Sequence, residues 1–150
     1  LSLCGARTSI PAPGRWAQRP RMDATTRNAA HALGRWGEDR AARYLCRRGW
    51  TILARNYRFG RREVDVIARR GDVVAFVEVK TRAGAGFGSP QEAITGLKRR
   101  EIEAGATHFM ARNALPEVDV RFDAVAIVVD RELRSLRIEH VEDARRPGWA

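Results

Sequence analysis

Hydrophobic positions divide the chain into segments of two periods. From Asn28 to Arg48, Leu33, Gly37, Ala41, Tyr44 and Leu45 recur at spacings of three and four, which predicts an amphipathic helix that Gly49 can end. Thr51 to Tyr57 reads as a short strand, and Arg58 to Arg62 as a basic turn around Gly60. Glu63 to Ala68 and Val73 to Thr81 read as two more strands joined at Gly71-Asp72. The second is apolar on both faces (Val73, Val74, Ala75, Phe76, Val77, Val79), as a central strand would be. Gly84 to Gly88 carries three glycines and reads as a loop. Ser89-Pro90-Gln91-Glu92 is a helix start, with Ser89 as N-cap, Pro90 in the first turn and Glu92 as the reciprocal capping partner. That helix is expected to reach Asn113, weakened at Gly105. Val118 to Val129 and Ser135 to His140 predict a fourth strand and a fifth at a sheet edge. The order predicts an α/β or α+β domain with one mixed sheet flanked by helices.

The 150 residues suffice for one domain with a full core. Residues 1–28 read as a disordered basic tail, 29–142 as the folded domain and 143–150 as a charged C-terminal tail. Met22 is a candidate initiator. No apolar run approaches the roughly 20 residues of a membrane span, and the first residues lack the apolar core of a secretory signal. Cys4 and Cys46 lie far apart without metal-type spacing and read as reduced thiols, which places the protein in the cytoplasm. The formal net charge of +10 favours a polyanionic partner, with nucleic acid the first candidate and a membrane not expected.

Charge also singles out two residues. Lys80 and Lys98 are the two lysines among 28 basic residues. Lys80 ends a run, Glu78-Val79-Lys80, that begins thirteen residues after Asp65 of Glu63-Val64-Asp65. Alternation puts Glu63, Asp65 and Ile67 on one face of their strand and Phe76, Glu78 and Lys80 on one face of the next. A two-residue turn at Gly71-Asp72 pairs positions summing to 143, which sets Asp65 opposite Glu78 and Glu63 opposite Lys80. Opposed residues have Cβ atoms about 4.5–5.5 Å apart, so two carboxylates there repel unless a cation lies between them. Mg²⁺ suits such a pair, because it takes one or two protein carboxylates and fills its shell with water and substrate phosphate. Such a metal lowers the pKa of a water beside the phosphate. Lys80, a compact ammonium, would orient that water or offset charge on the phosphorane. The pattern therefore predicts a Mg²⁺- or Mn²⁺-dependent phosphodiesterase.

Other residues admit two readings each. Glu38 shares a small, apolar helical stripe with Gly34, Ala41, Ala42 and Leu45. It either completes the metal shell, directly or through a water, or pairs with a nearby Arg at the core edge. Lys98, between Ile94 and Ile102, either contacts phosphate or lays its stem along the apolar stripe. The Gly84–Gly88 loop either lets backbone approach a substrate or is an ordinary surface loop. Arg58, Arg61, Arg62, Arg82 and Gln91 are candidate nucleic-acid contacts. Phe59 is a candidate for stacking on bases, whereas Trp36 and Trp50 are expected in the core. Asp123 reads as structural, with a supporting role at the site as the alternative. His31, His108 and His140 show no zinc-type spacing.

The ordered set resembles the YraN family of bacterial proteins and, through it, the PD-(D/E)XK restriction-endonuclease-like nucleases and archaeal-type Holliday-junction resolvases. The resemblance covers about Leu33 to Val129. It rests on Gly37-Glu38, Ala41, Tyr44-Leu45, Ile52-Leu53, Asn56 and Arg58. It continues through Glu63-Val64-Asp65-Val66-Ile67, Phe76-Val77-Glu78-Val79-Lys80-Thr81-Arg82, Phe87-Gly88, Pro90, Ala93, Lys98 and Arg121-Phe122-Asp123. It implies an α-β-β-β-α-β core, Asp65 and Glu78 as metal ligands, Lys80 as the catalytic lysine and Glu38 in support, with Glu63 as an acid behind the ligands. It further implies a Mg²⁺- or Mn²⁺-dependent endonuclease on DNA, including branched or recombination intermediates. A resolvase activity would call for a homodimer. The competing expectation is a noncatalytic nucleic-acid-binding or assembly module that keeps a vestigial metal site. One position departs from the family pattern: Arg62 stands where Gly usually precedes the Glu-hydrophobic-Asp segment, which bears on the local turn.

Overall fold

A computed structural model of the chain describes residues 24–83, 96–115, 117–130 and 135–144. The elements run α1 (Ala24–Arg47), β1 (Thr51–Phe59), β2 (Arg62–Arg70), β3 (Val73–Ala83), α2 (Gly96–Asn113), β4 (Asp119–Asp130) and β5 (Ser135–Val141). The first six follow the α-β-β-β-α-β order, and β5 adds an edge. The five strands form one mixed sheet in the order β1-β2-β3-β4-β5. β3 and β4 pair in parallel, and the other neighbours are antiparallel.

Two expected boundaries shift. α1 begins at Ala24, four residues before the expected helix start at Asn28. The basic turn shrinks to Gly60-Arg61, because Phe59 pairs with Arg62 and Arg58 with Glu63 in the β1–β2 ladder. Arg62 in place of a glycine is therefore accommodated as a regular ladder residue. The capping box at Ser89–Glu92, the Gly84–Gly88 loop, Gln91 and most of both tails lie outside the described residues.

The sheet is buried on both faces, which explains why β3 lacks a polar face. Trp36, Ala41 and Leu45 of α1 pack over Val66, Ala68, Ala75, Val77, Val79, Val125 and Ile127. Ile102, Ala106 and Phe109 of α2, at spacings of four and three, cover Val64, Ile67, Val74, Phe76 and Phe122 on the other face. Each such large apolar side chain fully removed from water contributes roughly 1.5–3 kcal/mol. Trp36 and Trp50 are core residues, as expected.

One glycine on each helix sets how closely that helix approaches the sheet. A Cβ at Gly37 would run into the Thr81 hydroxyl and come within 2.9 Å of its Cβ, while a Cβ at Gly105 would sit 2.8 Å from Val64 Cγ2. Gly105, expected to weaken α2, is thus what seats it on β2. Gly37→Ala should destabilise the domain by about 1–3 kcal/mol through overpacking. Thr81→Ala in the same chain should restore part of that loss, since it removes the hydroxyl and methyl but leaves Cβ. Chemical denaturation of the two variants measures both effects, and independent, additive losses would contradict the contact.

Candidate metal and nucleic-acid site

The β2–β3 hairpin has the register that the Gly71-Asp72 turn predicts. Recorded pairs run from Arg70↔Val73 to Val66↔Val77, each summing to 143, and then stop. The next pair would be Asp65 and Glu78. Beyond Val77, β3 continues alongside β4 as far as Ala83↔Val129, so the two strands of the hairpin part where the candidate acids sit. The Asp65 carboxylate spans this opening: its Oδ2 accepts the Val79 backbone N–H at 2.7 Å. A side chain thus replaces the missing ladder bond and is held beside the Glu78–Val79 peptide.

Glu78 is 1% exposed, one of two buried charged residues among those described. An isolated carboxylate in such a place is costly unless paired. Its Oε1 lies 2.9 Å from Lys80 Nζ, and the Lys80 side chain is 38% exposed. Val77 and Val79 point towards α1, so by alternation Glu78 and Lys80 share the face that Phe76 presents to α2. Their common face agrees with the sequence expectation.

The expected common face of Glu63, Asp65 and Ile67 is not found. Val64 and Ile67 both pack under α2, whereas Val66 packs under α1. Alternation therefore slips by one around Asp65. Opposite the slip on β1, Asn56 holds the left-handed conformation (φ 47°), and the ladder passes over Asn56 and Asp65 from Arg55↔Val66 to Tyr57↔Val64 without a change of register. The slip turns Glu63 towards α1, where Asn56 Nδ2 donates both to Glu38 Oε2 (2.7 Å) and to Glu63 Oε1 (3.1 Å). Arg58 Nε adds a 3.0 Å bond to Glu63. The pairing of Glu63 with Lys80 is accordingly absent from the recorded ladder. Glu38 is bound by the Asn56 amide rather than by a nearby arginine. Among the described residues, no group of three or more His, Cys, Asp or Glu side chains converges on one point. The structure thus sets Asp65 on the Glu78–Val79 peptide and Glu78 on Lys80, with Glu38 and Glu63 in a neighbouring group.

That second group borders a cleft of about 800 Å³ lined by Arg27, Ala30, His31, Gly34, Arg35, Glu38, Asn56, Arg58 and Glu63. Sequence reasoning found Arg58 here and missed Arg27, His31 and Arg35. Their spacing of four along α1 was the available signal. Arg61, Arg62 and Arg82 are exposed. Lys98 lies in α2, but its side chain is outside the described residues. The Phe59 ring, a candidate for stacking on bases, is stacked on His108 at 4.1 Å between centroids, and His108 Nδ1 bonds the Tyr57 hydroxyl at 2.7 Å.

Asp123 proves structural. It is 1% exposed and accepts two bonds from Arg121 (2.8 and 2.9 Å), one from His140 Nε2 (2.7 Å) and one from the Asp143 backbone N–H (3.0 Å). Burial by itself raises its pKa. The bonds from His140, Arg121 and Asp143, with the Arg121 charge, outweigh that and hold the carboxyl below its ordinary range.

The sequence profile of the Uncharacterised protein family UPF0102 matches residues 37–127, which span α1 from Gly37 through most of β4. This chain belongs to the UPF0102 family. A UPF0102 protein of Chlorobaculum tepidum is 43% identical over 125 residues, covering 81% of this chain and 97% of the relative. UPF0102 proteins of Rhodococcus opacus and Rhodococcus jostii are 48% and 49% identical over 113 residues, each match covering 75% of this chain and 95% of the relative. The expected resemblance to the YraN family is thereby borne out. The matched span contains Glu38, Glu63, Asp65, Glu78, Lys80 and Asp123, the acids of both groups as well as the structural aspartate. Among the described residues, no helix is long and apolar enough to cross a membrane.

Proposed function

We propose that this UPF0102 protein is a metal-dependent endonuclease that hydrolyses phosphodiester bonds in DNA. The observation that carries the reading is the opening between β2 and β3, where the Asp65 carboxylate is fixed by the Val79 N–H beside buried Glu78 and its partner Lys80. Two hard carboxylates, one pinned by the backbone and one buried, fit Mg²⁺ or Mn²⁺, which need few protein ligands when water and phosphate complete the shell. Asp65 and Glu78 would hold the ion, while Glu38 stays with Asn56 in the neighbouring group. When bound, the ion supplies charge for a phosphate oxygen and acidifies a water.

The chain's own groups do the rest. The Val79 N–H orients Asp65, so that this carboxylate needs no reorganisation on binding. Burial of Glu78 keeps its charge undiluted by solvent. Lys80, half in solvent, can reach from Glu78 towards a phosphate oxygen or an attacking water and offset the growing negative charge. The +10 net charge favours a polynucleotide over a small phosphate ester, and branched or recombination intermediates are substrates to try first.

Purified protein with Mn²⁺ should nick or cut at least one of linear duplex, single-stranded and four-way-junction DNA, and EDTA should abolish cleavage. Cleavage that persists in chelator would refute a metal-dependent site. One observation favours a second reading, a noncatalytic nucleic-acid-binding or assembly module with a vestigial metal site: the described residues gather no third carboxylate or imidazole around Asp65 and Glu78. Salt-sensitive binding without cleavage of any substrate would support that reading instead.

A further inference from the structure

We infer that the cleft between α1 and the β1–β2 hairpin is a docking track for the phosphate backbone of duplex DNA, contacted by Arg27, Arg35 and His31. Four observations support the assignment. Arg27, His31 and Arg35 follow one another at spacings of four, so they form a single row along α1. The row is about 12 Å long at 1.5 Å per residue, long enough to meet several phosphates of a duplex that carries one charge per about 1.7 Å of axis.

All three side chains are exposed, whereas Glu38 and Glu63 are only partly exposed. The basic side chains are therefore more open to solvent than the acids. Both acids are also already engaged, Glu38 by Asn56 and Glu63 by Asn56 and Arg58. Among the described residues, neither Arg27 nor Arg35 forms an ion pair. By contrast, Arg55, Arg58, Arg70 and Arg121 are all paired with acids. The row thus presents two unneutralised guanidinium forks, the group best matched to phosphate oxygens.

Small residues keep the cleft open. Ala30 and Gly34 lie on α1 beside the row, and a Cβ built at Gly34 would meet nothing within 4 Å. Among the described residues, the lining contains no Phe, Tyr or Trp, and the nearby Phe59 ring is stacked on His108. Single strands are commonly held by stacking bases on such rings. A cleft with guanidinium groups and no such ring suits the outside of a duplex, independent of sequence. The assignment rests on the nucleic-acid reading above and adds the surface that grips the substrate, built on the opposite side of the slip at Asp65 from Lys80.

The test is fluorescence anisotropy of a labelled mixed-sequence duplex in EDTA, so that cleavage plays no part, from about 50 to 200 mM salt. Arg27→Ala with Arg35→Ala should weaken binding by roughly tenfold or more and reduce the slope of log affinity against log salt by about 2. Arg27→Lys with Arg35→Lys should keep most of the slope. Gly34→Leu, which fills the cleft without changing charge, should also weaken binding. The assignment is overturned if the double alanine variant binds with the parent's affinity and slope, or if its loss is confined to single strands. Lys80→Ala, tested in parallel, separates this outcome from the catalytic one. If Lys80→Ala stops cleavage while the arginine variants bind as the parent does, the cleft fails and the nuclease reading stands. If the arginine variants lose binding but the parent never cuts, the reverse holds.

Discussion

Lys80→Ala is expected to lower Mn²⁺-dependent cleavage by roughly 10²–10³-fold, the range seen when one preorganised group facing transition-state charge is removed. The substitution takes away the ammonium that lies 2.9 Å from Glu78 and reaches solvent at the mouth of the β2–β3 opening. It also leaves a buried carboxylate without that ion pair, so the melting temperature must be measured alongside the rate. Lys80→Arg keeps a positive charge near Glu78 but replaces a compact ammonium with a planar fork. It should fold close to the parent and still cleave poorly. Asp65→Ala should be as inactive as Lys80→Ala, because it removes both a proposed ligand and the acceptor of the Val79 N–H. Cleavage by Asp65→Ala and Lys80→Ala at the parent's rate would remove the catalytic assignment.

Asp123→Ala should cause the largest loss of stability, about 3–5 kcal/mol, because it strands buried partners. Arg121, His140 and the Asp143 N–H all converge on this carboxylate. Together they tie β5 and the turn after it to β4. For the domain, that loss corresponds to a fall in Tm on the order of 10 °C. The same group predicts a pH dependence whose sign follows from its lowered pKa. Unfolded, Asp123 takes up its proton near the usual 3.8; folded, it does so at a lower pH. Its contribution is therefore complete above about pH 4 and is lost as pH falls through 3.8 towards the folded value. Denaturation across this window should show the loss in the parent and not in Asp123→Asn. An Asn variant with the parent's acid profile would mean that Asp123 is not held by charge.

How much of this was legible depended on whether a feature was local. The β2–β3 register needed only the Gly71-Asp72 turn and the strict two-residue period of β-strands, and the expected sum of 143 holds for all five recorded pairs. The apolar run of β3 announced a central strand because a sheet covered on both faces leaves no polar side. The slip at Asp65 was not legible. It shows only in which helix each valine finally meets, beside a left-handed Asn56 on another strand. The same slip decides that Glu63 joins Glu38 rather than Lys80. Asp123 shows the same limit. Its partners stand two, seventeen and twenty residues away, and no period links them. His31 and Arg35 stand four apart on the expected helix but blended into a chain rich in arginine, and Arg27 fell before its expected start. What set them apart was tertiary, namely the open cleft they border.

The central claim is that Asp65 and Glu78 share a divalent ion where β2 and β3 part. Crystals soaked in Mn²⁺ and measured for anomalous scattering test it most directly. A peak bridging the Asp65 and Glu78 carboxylates, absent from Asp65→Ala crystals, is the predicted result. Manganese that binds elsewhere, or a soaked crystal with Lys80 still on Glu78 and no peak between the two acids, would contradict it.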